Sequence, residues 1–201
     1  MLWLFVALLA CRPDPGDPEY PEPGPWGDTG GDFLPGPDPY EDGDARLSLG
    51  FFYEGGYSDF DPPEHLYIYE NSFTTDVSGD RVEGLTSDVW IHGGGAWWGG
   101  GIHYDAARDF SAWTTLYISL MAPAEGGFPT VDVAMEGGSQ ARLDAGTYGF
   151  AQDGEWHHLA IPLAAFASAG ADLSGVTVPL ILVDEGGNAG DRLFIDNLYL
   201  E

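Results

Sequence analysis

Between Trp90 and Tyr104 the chain reads Trp-Ile-His-Gly-Gly-Gly-Ala-Trp-Trp-Gly-Gly-Gly-Ile-His-Tyr, two glycine triplets set among indole, imidazole and phenol rings. Glycine lets backbone approach a ligand closely and leaves flanking rings uncovered, and an aromatic face stacks on the C–H face of a sugar ring. Trp97, Trp98 and Tyr104, joined by Trp90 and Trp113, are therefore the expected ligand-binding residues. Alternation along a strand sends Trp97 and Trp98 to opposite faces, so at most one of the two is expected to face solvent. The competing use of the same rings is core packing around a glycine-rich bend.

Other chemistry is sparse. Five histidines, His65, His92, His103, His157 and His158, invite a metal or acid–base reading; the adjacent His157 and His158 of a strand point apart and cannot chelate one ion, which leaves a His92/His103 pair across a hairpin as the alternative. No G-x-S-x-G elbow, H-E-x-x-H pair or P-loop occurs. Glycoside hydrolysis needs two carboxyls facing each other about 5 to 10 Å apart. With 33 acidic residues such a pair arises by chance, so their abundance is no evidence for it, and a non-enzyme is expected.

The charge narrows the partners further. Six basic residues, all Arg, stand against 33 acidic ones, giving a formal charge of -27. A polyanion of this strength repels phosphate backbones and anionic headgroups, which excludes nucleic acid and electrostatic membrane binding. The single cysteine, Cys11, excludes an internal disulfide, a Cys-based zinc site and an iron–sulfur cluster.

Met1 to Ala10 is an uninterrupted apolar run, much shorter than the roughly 20 residues a spanning helix needs, and reads as a signal-peptide core. The sequence Leu8-Leu9-Ala10-Cys11 resembles the lipobox of bacterial lipoproteins. That resemblance implies cleavage before Cys11, lipid modification of its thiol, and, with Arg12 following, residence at the outer membrane of a Gram-negative cell envelope. The acyl chains then form the only membrane contact. Residues 11–45 carry nine prolines and are strongly acidic, a composition that cannot pack a core and predicts a semi-rigid tether of roughly 100 Å.

From Arg46 to Glu201 short β-branched or aromatic segments alternate with Gly, Asp and Pro, which predicts an all-β antiparallel sandwich of jelly-roll type. The clearest strands are 47–53, 65–69, 98–104, 115–121, 130–135, 156–162, 176–183 and 192–200, with one short helix at Pro162-Leu-Ala-Ala-Phe-Ala. In Thr115–Met121 the alternation puts Leu116, Ile118 and Leu120 on the buried face.

Three segments occur in a familiar order: Asp109-Phe-Ser-Ala-Trp-Thr-Thr-Leu, Trp156-His-His-Leu-Ala-Ile-Pro-Leu-Ala-Ala-Phe, and Leu193-Phe-Ile-Asp-Asn-Leu. Together they resemble the galactose-binding-like jelly rolls, which include many carbohydrate-binding modules, over residues 66 to 201. The resemblance implies structural places for Trp113 and Trp156 and a structural Ca²⁺, with Glu70 and Asp196 as its ligands. The resulting expectation is a lipid-anchored envelope module that binds carbohydrate or another surface polymer. A structural or protein-interaction domain is the alternative, and a hydrolase would require two convergent carboxylates.

Overall fold

The computed structural model describes residues 47–49, 66–84 and 86–201. The expected signal segment, Cys11, the acidic tether and His65 lie outside the described residues, as does the expected first strand beyond Leu49. Among the described residues no helix is long and apolar enough to cross a membrane.

Among the described residues eleven strands form two antiparallel sheets stacked as a sandwich. They are β1 (Leu47–Ser48), β2 (Leu66–Ile68), β3 (Phe73–Ser78), β4 (Ser87–His92), β5 (Trp97–Ile102), β6 (Thr115–Met121), β7 (Asp132–Gly137), β8 (Ser139–Asp144), β9 (His157–Pro162), β10 (Val178–Glu185) and β11 (Arg192–Leu200). One sheet runs β3-β4-β11-β6-β9, with β1 paired to the far half of β11. The other runs β2-β5-β10-β7-β8. The one α-helix among the described residues, α1 (Leu163–Ser168), follows β9 and buries Leu163 and Phe166, where the sequence predicts it.

Period-two alternation decides which side of each strand enters the core. Leu116, Ile118 and Leu120 from β6 meet Val133 and Met135 from β7 and Leu180 and Leu182 from β10 in one cluster. Phe73 stacks on Trp90 at 4.1 Å, and Trp98 tilts against Phe128 at 4.4 Å. Such rings bury the largest areas, so they anchor the inter-sheet layer.

Two irregularities have local causes. Pro179 has no N–H for the ladder, and the register of β10 on β7 shifts between Val178 and Ile181. In β11 the register on β6 shifts between Asp196 and Tyr199, where Asn197 takes a left-handed backbone at φ 55°. Asn tolerates that region better than most residues. Strands β3, β4 and β8 lie outside the segments singled out from sequence. Phe73-Thr-Thr-Asp-Val-Ser and Ser139-Gln-Ala-Arg-Leu-Asp are mostly polar edge strands and carry a weak apolar signal.

Candidate functional site

The outer face of the five-stranded sheet carries an aromatic strip. In Leu66-Tyr67-Ile68-Tyr69 the aliphatic side chains pack on the core, so both tyrosines point outward. On β5 the same alternation buries Trp98 and Ile102 and turns Trp97, Gly99, Gly101 and His103 to the outside. The antiparallel register then sets Tyr67, Gly101, Ile181, Ala134 and Arg142 in one row across the five strands. Gly101, next to Tyr67 in the row, leaves the rings of Tyr67 and Tyr69 standing above β5.

Tyr69 fills the glycine floor. A Cβ on Gly99 would meet Tyr69 Cδ2 at 3.3 Å, and one on Gly101 would meet Tyr69 Oη at 2.8 Å. The phenol thus lies along β5, spanning two same-face positions about 6.7 Å apart. Its Oη shares a hydrogen bond of 2.9 Å with His103 Nε2, and Tyr67 packs edge-on against the same imidazole at 4.5 Å. Burial, reinforced by the charge of Glu136, pushes the Tyr69 hydroxyl up to about 12. Burial also holds His103 below the ordinary histidine value, against the opposing pull of Glu136. At neutral pH the pair is therefore an uncharged hydrogen-bonded unit. Tyr67 remains 52% exposed, and Trp97 at the opposite end is half-buried.

Polar groups flank the strip. Arg142 of β8 pairs with Asp132 and lies 3.7 Å from Asp184. Beyond Trp97, the turn Tyr69–Asn71, Ser72 and the turn 93–96 enclose a cleft of about 180 Å³. Glu70 and Asn71 in its wall both have left-handed backbones, at φ 52° and 54°. That conformation costs a residue such as Glu roughly 1–2 kcal/mol, while Asn visits it more readily.

Of the five expected ligand-binding residues, Trp97 is the one on this face. Trp90 and Trp98 are 0% exposed and sit between the sheets, and Tyr104 is buried against Phe110 with Arg108 over its ring at 4.1 Å. Trp113 packs on the main core. The corrections at Trp90, Trp98 and Tyr104 share a cause: these rings are bulk packed in the core, so they cannot stack on a ligand outside, whereas Trp113 is half-buried. Tyr67, Tyr69 and Arg142 were missed, and His103 was weighed only for metal or acid–base work. The legible signal was the alternation of aliphatic with tyrosine in residues 66–69.

The expected calcium pair does not assemble. Glu70 precedes β3, while Asp196 is bound to the loop that follows it, so a strand of roughly 17 Å separates them. Asp196 Oδ2 already accepts the N–H groups of Val82 and Glu83 at 2.7 and 3.0 Å. Among the described residues no group of three or more His, Cys, Asp or Glu is placed to hold a metal ion. Glu70 and Asp196 therefore do not belong to one site.

Asp196 has a buried neighbour in Asp88. Burial, with the charge of Asp196, raises Asp88 to about 7, and burial raises Asp196 to about 6 against the hydrogen bonds it accepts. Asp88 shares the inward side of β4 with Trp90 and His92, whereas Asp196 shares the outward side of β11 with Phe194. Two carboxyls on opposite sides of a sheet do not converge on a substrate, so this pair lacks the geometry of glycoside hydrolysis. His92 and His103 belong to different sheets and form no pair.

No protein-family profile matches the chain, and no curated protein matches it in sequence. Solved structures do. The family 11 carbohydrate-binding module of the cellulosomal cellulase Lic26A-Cel5E of Clostridium thermocellum aligns over 77% of this chain and 93% of its own, at 14% identity and a TM-score of 0.53. A family 11 module from that organism in complex with a beta-1,3-1,4-mixed-linked tetrasaccharide aligns over 77% and 94%, at 14% identity and a TM-score of 0.52. The family 30 module of a cellulosomal cellulase of the same organism gives 16% identity, 77% and 92% coverage and a TM-score of 0.51. An exo-beta-agarase reaches a TM-score of 0.57 at 12% identity, with the match spanning 77% of this chain but 24% of the enzyme. At such identities the likeness is one of fold: this chain is a β-sandwich of the kind found in carbohydrate-binding modules.

Proposed function

We propose that the protein is a non-catalytic carbohydrate-binding module whose ligand lies on the outer face of the five-stranded sheet. The observation that carries the reading is the strip of Tyr67, Tyr69 and Trp97 standing over glycine-floored β5, with its central phenol fixed by His103 before any ligand arrives. Rings held in place lose little freedom on binding, and exposed aromatic area with a few polar groups beside it is the recognition chemistry of sugars. The likeness of the fold to modules that include one solved with a bound oligosaccharide supports the same reading.

Display on the cell envelope belongs to this proposal and rests on sequence alone: Cys11 as the lipidated residue and the proline-rich acidic stretch as a spacer to the outer membrane.

Affinity electrophoresis of the full chain through gels containing mixed-linked β-glucan, xyloglucan, agarose or other soluble polysaccharides tests the reading. Retardation by at least one polymer, lost in Tyr67→Ala, is the expected result. Unretarded migration in every gel overturns it.

A further inference from the structure

The cleft beside Trp97 has a feature the aromatic strip does not explain. Ten glycines among the described residues take a positive φ, so the chain places glycine freely wherever a left-handed backbone is needed. Three non-glycine residues also do so, and two of them, Glu70 and Asn71, are consecutive and line this cleft. Glycine would hold the same turn without strain and Asn visits it readily, so Glu70 is the strained choice and its side chain is what the position carries in return.

The walls are rigid. Gly93 N donates to Ser72 O at 2.8 Å, Ser72 N donates to Tyr69 O at 3.0 Å, and the Ser72 hydroxyl accepts from Gly99 N at 3.0 Å while donating to Gly99 O at 3.2 Å. A Cβ on Gly93 would meet Ser72 O at 2.8 Å, so the turn 93–96 can approach only because glycine stands there. Trp97 belongs to both places: it lines the cleft, and its ring reaches to 3.2 Å from the position a Cβ would take on Gly99 in the floor of the strip. The volume of about 180 Å³ is below the roughly 300 Å³ at which pockets for drug-sized ligands begin, and suits a single ring.

We infer that this cleft is a polar subsite for one hydroxyl-bearing sugar unit of a glycan that continues past Trp97 from the aromatic strip. The Glu70 carboxylate accepts hydrogen bonds from sugar hydroxyls, and the Asn71 carboxamide both donates and accepts, which is the complement a polyol ring presents. The inference rests on the strip being the glycan platform and adds a directional end to it.

The test is titration calorimetry of the full chain with oligosaccharides of increasing length, from disaccharide to hexasaccharide, prepared from mixed-linked β-1,3-1,4-glucan and from agarose. The double variant Glu70→Gly with Asn71→Gly strips both side chains while allowing the left-handed turn, and an unchanged or raised Tm verifies that the turn persists. Loss of hydrogen bonds to a charged and an amide group is expected to weaken the longest bound oligosaccharide about tenfold and leave the shortest bound one unchanged. Native affinity for every length, or an equal loss at every length, overturns the subsite. Native affinity of the double variant at every length, together with binding abolished by Tyr67→Ala, overturns the subsite alone. Absence of binding of both series to the native chain overturns the platform with it.

Discussion

Tyr69 Oη and His103 Nε2 share a hydrogen bond of 2.9 Å that ties the turn after β2 to the residue following β5, with the phenol lying over Gly99 and Gly101. The bond fixes a ring that would otherwise rotate, and the two glycines make room for it. Rigidity of this sort is obtained during folding, so a ligand need not supply it on binding.

Gly101→Ala is therefore expected to damage both stability and binding. Its Cβ would lie 2.7 Å from Leu180 O and 2.8 Å from Tyr69 Oη, so backbone or phenol must move. Overpacking of this degree costs roughly 1–3 kcal/mol. At about 2–4 °C per kcal/mol for a domain of this size, Tm falls by several degrees. Thermal melts and gel retardation read both effects, and native values in the two assays would show that Tyr69 is not seated by the glycine floor.

Trp97 and Trp98 are neighbours with opposite assignments, and single alanine variants separate them. Trp98→Ala empties a fully buried site between the sheets and is expected to cost roughly 3–5 kcal/mol. Trp97→Ala leaves the core intact, so most of its Tm is kept while polysaccharide retardation drops. The reverse pattern in melting and retardation would invert the assignment of the faces.

Asp88 and Asp196 give stability a pH dependence of unusual sign. Burial pushes their carboxyls up to about 7 and about 6 in the folded chain, above the ordinary aspartate value of 3.8. Between roughly pH 4 and 7 the folded state thus holds more protons than the unfolded one, and stability falls as pH rises. It is greatest below the unfolded value and lost as pH climbs through the folded values. Tm is expected to be several degrees higher at pH 5 than at pH 8, and Asp88→Asn should flatten the profile and raise Tm at pH 8. A Tm that instead rises steadily from pH 5 to pH 8 contradicts the burial of these carboxyls.

Cys11→Ser tests the anchor independently of the sandwich. Fractionation of cells carrying the full chain should find the native form with membranes and the variant released, because the acyl chains are the proposed membrane contact. Equal membrane association of the two forms would remove lipidation as the attachment.

What the sequence determined by itself is the sandwich and the inward side of its strands. Thr115–Met121 and Arg192–Leu200 have the expected bounds, and Leu116, Ile118 and Leu120 are buried, because a side chain every second residue must enter a core or water wherever the strand sits. The same rule sent Trp97 and Trp98 to opposite faces without saying which was outside. That was decided by the pairing of β5 between β2 and β10, which turned Trp98 toward Phe128 and left Trp97 beside Gly99.

Only the tertiary structure could bring Tyr67 opposite Gly101 or Tyr69 onto His103, since each contact joins residues 34 apart in the chain through a strand register that local pattern does not encode. It likewise decided the fate of Asp196, whose carboxylate is bound by backbone N–H groups of a loop more than 100 residues earlier. Burial of apolar surface is a property each segment carries with it, whereas a site is a juxtaposition of segments, and juxtaposition exists only once the sheets have paired.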